Sequence, residues 1–272
     1  MRILLVCTFI LSCFVVHVTF AADDPSLVLY FSFDEEGIVI KDLSGQGNDG
    51  EVKGSPRWVN GKTGQALQFL GIENKNYVEV PDDPSLNPRL EVSLMAWIYI
   101  ETWEPTGGVI SKYTGAGNQR SYNMHMHHTN ALGFSSECSS NGAFQAGVST
   151  TEAHTGPDTL TEGAWQHVAM TFKATEFLRL YLNGEMVVEA AAQATDSLFD
   201  NNTPMTIGTD FAVGGAHNNT QAREFTGIID EVAVFNRALT AEEIQQKMES
   251  ILPVEPVGKL AATWGQIKAG QR

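Results

Sequence analysis

The sequence predicts an all-β protein, a two-sheet antiparallel sandwich that closes on one short helix. Three observations predict it. Short runs of β-branched and aromatic residues recur between Gly, Pro, Asn and Asp, the rhythm of a sandwich rather than of alternating strands and helices. The segment Glu91 to Ile100 alternates, with Val92, Leu94, Ala96, Ile98 and Ile100 on one face, as a half-buried strand does. Finally, Phe225 to Leu239 carries Ile228, Ile229, Val232, Ala233, Val234 and Phe235, apolar on both faces, which fits a central strand buried on two sides. Asp230 interrupts that run, and an ionised carboxylate in a sheet interior is costly unless paired, hydrogen-bonded or metal-bound. It requires a partner.

Residues 1–21 carry Arg2, an apolar run from Ile3 to Phe20 and a small-residue end, the pattern of a secretory signal peptide. A lipidated Cys13 fits less well, because the apolar run continues past it. Cleavage would leave Cys138 as the one cysteine and take the net charge from −15 to −16, so the core, alone or with a metal, must supply stability. Such acidity argues against nucleic acid and anionic membranes as partners. No later apolar run reaches spanning length. The expected organisation is a signal peptide at 1–21, one domain at 22–252 and a tail at 253–272.

Within the domain, Leu27 to Phe33 reads as a first strand, followed by Asp34. Lys41 to Gly50, K-D-L-S-G-Q-G-N-D-G, is a loop in which three glycines let Asp42, Asn48 and Asp49 converge. That suits either a hard cation such as Ca²⁺ or an ordinary polar turn. Short strands follow around Trp58, at Ala66 to Leu70 and at Tyr77 to Val80, closed by Pro81, Pro84 and Pro88. After 91–100 come Gly107 to Tyr113, Ser121 to Met126, Ala131 to Cys138 and Trp165 to Phe172. Leu178, Leu180 and Leu182 then lead through Asn183-Gly184 into Met186, Val187 and Val188, a strong hairpin signal. Met205 to Gly208 is a further strand. Thr240 and Glu243 form a capping box that opens a helix over Ala241 to Ile251.

Lined up in order, F-S-F-D, D-L-S-G-Q-G-N-D-G, W-V-N-G-K-T-G-Q-A-L-Q-F, Y-V-E-V-P, S-L-M-A-W-I-Y, V-I-S-K-Y, W-Q-H-V-A-M-T-F, L-R-L-Y-L-N-G and G-I-I-D-E-V-A-V-F-N-R-A-L-T-A-E-E-I resemble the laminin-G-like group of concanavalin A-like lectin/glucanase domains. The resemblance spans about residues 27 to 251. It implies a jelly roll whose first and last strands lie side by side. It also implies a structural Ca²⁺ between the D-L-S-G loop and the I-D-E strand, on Asp42 and Asp230 with Asp34, Asn48 and the Gly47 carbonyl.

Three functions are compatible with such a fold. A sandwich glucanase needs carboxylates at i, i+2 and i+4 of one strand; here Ile228 and Val232 flank Asp230, so the expectation is a non-enzyme. A lectin-like, carbohydrate-binding module would use aromatic and polar side chains, and Tyr113, Arg120, Tyr122, His125 and His127 are the candidates. His125 and His127 share a strand face, but two histidines fall short of the three or four ligands a transition ion takes. An extracellular protein-interaction module would use the polar loops at 115–120, 141–157 and 196–223.

Overall fold

In the computed structural model, which describes residues 24–71, 76–114, 119–193, 197–210 and 223–251, the short apolar runs become strands. They are β1 Leu27–Phe31, β2 Val39–Ile40, β3 Gly50–Lys53, β4 Arg57–Asn60, β5 Gln65–Leu70, β6 Tyr77–Val80, β7 Glu91–Ile100, β8 Gly108–Thr114, β9 Gln119–Met126, β10 Phe134–Ser139, β11 Thr150–His154, β12 Trp165–Lys173, β13 Phe177–Leu182, β14 Glu185–Ala191, β15 Met205–Ile207 and β16 Thr226–Phe235. The helix α1 is Ala241–Glu249, opened by the Thr240/Glu243 capping box. The signal at 1–21 and the tail at 253–272 lie outside the described residues, as does much of the 196–223 loop.

Two sheets result. The first runs β14-β13-β12-β7-β16-β5-β4, with β1 also on β16; the second runs β11-β10-β9-β8-β15-β6-β3-β2. First and last strands are neighbours, with Tyr30 opposite Ala233 and Phe31 opposite Val232. The alternating face of β7 supplies Val92, Leu94, Ala96, Ile98 and Ile100 to the core between the sheets, where Phe31, Phe69, Tyr122, Met124, Phe172 and Leu180 meet them. The other face of the first sheet is also covered, by Leu239 and Ile244 packing on Leu27, Met95, Tyr181 and Phe235. This is why β16 is apolar on both faces. Among the described residues, the outer face of the second sheet has no such helix over it.

Asn183 and Gly184 form the two-residue turn between β13 and β14, at φ 50° and 82°. Leu178 and Leu180 are fully buried, and Leu182 packs on the same core. A Cβ at Gly184 would stand 2.9 Å from Gln245 Cγ. Gly184→Val is therefore expected to cost about 1–3 kcal/mol, since a β-branched residue resists positive φ. An unchanged thermal midpoint would count against the turn's role.

The polar segment at 141–157 holds one strand that the sequence reading assigns to loop. β11 has no apolar stripe beyond Ala153 and joins the sheet through its backbone, pairing Thr150 to His154 with Ser139 to Ser135.

Candidate functional site

Strand parity builds the open face of the second sheet. On β9 the core takes Tyr122, Met124 and Met126, so Asn123 and His125 face outward. Arg120 joins them because the β8–β9 register shifts between Lys112 and Tyr113, setting Tyr113 opposite Arg120. On β10 the core takes Phe134 and Cys138, leaving Ser135 and Glu137 outside; on β11 it takes Ala153, leaving Glu152 and His154. Register sets Glu137 between Asn123 and Glu152, and Ser135 between His125 and His154.

The resulting cleft offers about 190 Å³ of space, and Arg120, His125, Glu137, Phe144, Glu152 and Arg223 are among its walls. The Arg120 guanidinium lies 4.5 Å from the Tyr113 ring centre and 4.8 Å from that of Phe144, with Nε 3.1 Å from Glu137 Oε2. Arg120 and His125 are only 8% and 3% exposed, yet Arg120 Nη1 and His125 Nδ1 have no hydrogen-bond partner. A buried polar atom left unpaired costs about 1–3 kcal/mol, which a ligand hydroxyl can recover. Burial pushes the Glu137 carboxyl up, against the pull of His125 and Arg120. Beneath the cleft, Asp210 accepts from Asn123 Nδ2 (3.1 Å) and Arg223 Nη1 (2.8 Å), bracing the floor.

Four of the five residues singled out in the sequence, Tyr113, Arg120, His125 and His127, come to this region. His127 lies at its edge, where its Nδ1 accepts the backbone N–H groups of Asn130 (2.7 Å) and Thr129 (3.1 Å). Burial first, then the nearby His128, His154 and His125, hold the His127 ring down at about 4. Tyr122 is a correction. Its parity sends it into the core, fully buried, where its hydroxyl donates to the Leu86 carbonyl at 2.8 Å. Sequence reasoning missed Glu137, Phe144, Glu152 and His154, which lie on the two polar strands and the loop joining them; Phe144, an exposed aromatic in a polar loop, was the available signal.

A second group lies on the first sheet. The sequence reading pairs Asp230 with the early loop; the structure pairs it with the turn at 61–64. Asp230 Oδ2 accepts from Lys62 N (2.8 Å) and Thr63 N (3.1 Å), and Oδ1 from Glu231 N (2.9 Å). The turn comes so close that a Cβ at Gly61 would stand 2.5 Å from Asp230 Oδ2. Asp42 is satisfied elsewhere: Oδ1 accepts from Tyr30 N and Ser44 N, Oδ2 from Ser44 Oγ and Asn48 N. Asn48 Nδ2 donates to the Val28 carbonyl and Ser85 Oγ, and Gly47 adopts φ 83° in the same loop. The two carboxylates share no donor.

Glu231 departs from plain alternation. Alternation would send Asp230 and Glu231 to opposite faces, but the β16–β7 register shifts between Asp230 and Ala233, and Glu231 sits at φ 51°. This bulge leaves Glu231 hydrogen-bonded to the Tyr30 hydroxyl and lining, with Asp34, a cavity of about 230 Å³. Burial, reinforced by Glu231, pushes the Asp230 carboxyl up to about 7, although its three backbone donors oppose the shift. Glu231 is also raised, by burial and by Asp34.

A family model described as the concanavalin A-like lectin/glucanases superfamily matches residues 73–245. The chain belongs to this superfamily. Among solved structures, the binding domain of Paraclostridial mosquitocidal protein 1 aligns with TM-score 0.63 at 18% identity, over 83% of this chain and 52% of that one. The binding domain of botulinum neurotoxin DC, solved with rat synaptotagmin II, aligns with TM-score 0.62 at 14% identity, over 83% and 51%. Domain 4 of AbnA, an extracellular GH43 arabinanase from Geobacillus stearothermophilus solved with arabinotriose, aligns with TM-score 0.56 at 16% identity, over 81% and 97%. The chain thus spans about half the length of the toxin domains and nearly all of the arabinanase domain. A search of curated proteins finds no match. At these identities the likeness shows the jelly-roll fold. What this concanavalin A-like chain adds is its own asymmetry: one sheet is covered by α1, and the other presents a polar cleft.

Proposed function

We propose that this chain is a secreted, non-catalytic binding module that takes a neutral glycan in the cleft on the open face of the second sheet. The observation that carries the reading is the pair Arg120 and His125, buried with unpartnered nitrogens beside Phe144, which is 43% exposed. A sugar offers what such a cleft lacks. Its C–H face can cover the Phe144 ring, while each hydroxyl can accept from Arg120 and donate to Glu137 or His125. Arg120 faces Glu137 and Arg223 faces Asp210, so both arginines of the cleft are charge-paired, which favours a neutral sugar over an acidic one. The arabinotriose in the structurally similar arabinanase domain supports this class of ligand. On β16, Ile228 and Val232 flank Asp230 where a sandwich glucanase would place further carboxylates.

A protein partner is the second reading, favoured by Phe144 and Val148, exposed at 43% and 69% on one loop. A glycan array separates the two. Retention of neutral oligosaccharides is expected, without release of reducing sugar. Phe144→Ala should weaken that retention about tenfold, roughly 1.4 kcal/mol, with its thermal midpoint nearly unchanged because the ring is exposed. An array without hits, alongside capture of an extracellular protein that Phe144→Ala abolishes, would replace the glycan with a protein ligand.

Calcium enters as a structural ion, and the residues fit it unevenly. Asp42 already holds four donors that an ion would displace. Asp34 and Glu231 fit better, since both line one cavity and oxygen ligands are what hard Ca²⁺ takes, while Asp230 behind them keeps its three backbone donors. The ion would supply neutralisation there, not chemistry.

A further inference from the structure

We propose that the cavity between the end of α1 and the first sheet is a binding site for a small primary alkylammonium, its charged head on Asp34 and Glu231 and its apolar stem on Trp97, Met248 and Ile251. The site lies on the other sheet from the cleft and is independent of the glycan reading. Strand pairing builds its floor. β7 and β12 set Trp97 opposite His167, both on the face turned from the core, since Ala96, Ile98 and Val168 take the core side. The two rings meet edge to face, 5.4 Å between centres. Helix α1 ends over them, and the indole N–H of Trp97 donates to the Met248 carbonyl at 3.2 Å. The bulge on β16 supplies a further wall, with the Glu231 carboxylate on the Tyr30 hydroxyl. The space so enclosed, about 230 Å³, is below that of a drug-sized pocket and suits a small ligand.

The lining selects the class of ligand. His167 is 1% exposed, and its Nδ1 has no hydrogen-bond partner among the described residues. Burial holds this ring down at about 3, so it is neutral and keeps one nitrogen as an acceptor. Asp34, Glu231 and Glu249 add three carboxylates. The cavity also lies at the carbonyl end of α1, the negative pole of the helix. The nearby cations are engaged elsewhere: Lys247 Nζ stands 3.1 Å from Asp24 Oδ2, and Lys62 Nζ lies 4.1 Å from the Trp97 ring centre, drawn to the aromatic face. The balance favours a positively charged guest.

An alkylammonium uses more of this lining than a bare ion does. Its three N–H donors equal in number the acceptors at Asp34, Glu231 and the imidazole. Its stem covers Trp97, Met248 and Ile251, whose side chains offer no oxygen to a hard cation. The calcium ion proposed above draws on the same two carboxylates, so ion and amine exclude one another.

The test is calorimetric titration of the full chain with pentylammonium chloride in chelator, where no divalent ion competes. One equivalent is expected to bind saturably, while 1-pentanol, which has the stem without the charge, is expected to give no saturable heat. Glu231→Gln, which keeps an acceptor for the Tyr30 hydroxyl, and Asp34→Asn should each weaken amine binding about tenfold or more, with circular dichroism unchanged. Glu185→Gln removes a charge at the exposed start of β14 and should bind as the unmodified chain does. Equal binding of 1-pentanol, or full affinity in the Asp34→Asn, Glu231→Gln double variant, would overturn the site. So would the absence of saturable heat up to about 10 mM amine, above the millimolar affinity that so small a ligand can reach. A thermal midpoint raised by Ca²⁺ in protein that takes up no amine would leave that corner an ion site only.

Discussion

Lys112→Ala is expected to lower the unfolding free energy by about 2–4 kcal/mol, the cost of a core cavity and of buried carbonyls left without a donor, and the thermal midpoint by roughly 10 °C. The Lys112 side chain is wholly buried, with Nζ 2.6 Å from Asp82 Oδ1, 2.7 Å from the Thr203 carbonyl and 3.2 Å from that of Asn201. Asn201 reciprocates, its Nδ2 donating to the carbonyls of Lys112 and Gln119. One ammonium thus ties the segment at 201–203 to the strands that carry Tyr113 and Arg120. Burial pulls the amine below the usual lysine range, and Asp82 pulls it back up. Truncation leaves the carbonyls of Asn201 and Thr203 without this donor, and a cavity as well, while the exposed Asp82 keeps Asn87 Nδ2. Lys112→Met keeps most of the volume, so it should recover the packing share of the loss and none of the polar share. Denaturant unfolding reads both. A loss below about 1 kcal/mol for the alanine variant, within the range of ordinary surface substitutions and small contacts, would show that the ammonium is not the hub.

What the sequence made legible follows from where apolar side chains decide the outcome. β7 and β16 are readable because a buried face writes its period into the chain, and the Asn183-Gly184 turn because its backbone needs positive φ. β11 was not, since Thr150, Thr151, Glu152 and His154 owe their strand to ladder hydrogen bonds with β10, which leave no mark in composition. The same limit hid half the cleft. Arg120 and His125 could be named from one strand, but Glu137, Glu152 and His154 become their neighbours only through register. Tyr122 shows the converse error: beside Arg120 in sequence, it faces the core, because the shift between Lys112 and Tyr113 changes which residues share a face. Asp230 was recognised as needing a partner. That partner came from backbone N–H groups at 62 and 63, a class of donor that residue identity does not advertise.

In chelator, the protein is expected to lose stability as pH rises from about 4 to 7, and Ca²⁺ is expected to restore it. The sign follows from the carboxylates at the β1–β16 corner. The Asp230 carboxyl stands at about 7 in the fold against an ordinary 3.8, and Glu231 is raised as well. Between the two values the folded chain holds a proton that the unfolded chain has released, so stability falls as pH rises through that window. For Asp230 the full difference is on the order of 4 kcal/mol, at 1.36 kcal/mol per pH unit. Groups held low, Asp24, Asp49, Asp83 and Glu243, act with the opposite sign and at more acid pH. The other titratable groups near the corner are Tyr30, Asp34, His167, Lys247 and Glu249 along the cavity, with Lys62 over Trp97. A cation held by Asp34 and Glu231 would offset the negative charge that Asp230 and Glu231 gain on losing their protons. At 100 times its dissociation constant it adds about 2.7 kcal/mol, some 5 to 10 °C in a domain of this size. Mg²⁺ should substitute poorly, because it holds its water and a smaller shell. Glu231→Gln keeps an acceptor for the Tyr30 hydroxyl while removing the charge, so it should flatten the pH slope and reduce the calcium response together. Asp42→Ala should cost stability by opening the loop at 42–48 yet leave the calcium response intact. Thermal melts across pH 4.5 to 7.5, with Ca²⁺ and with chelator, decide the matter: a response lost in Asp42→Ala and kept in Glu231→Gln would move the ion to the early loop, and a melt indifferent to Ca²⁺ in protein shown by elemental analysis to start metal-free would remove it altogether.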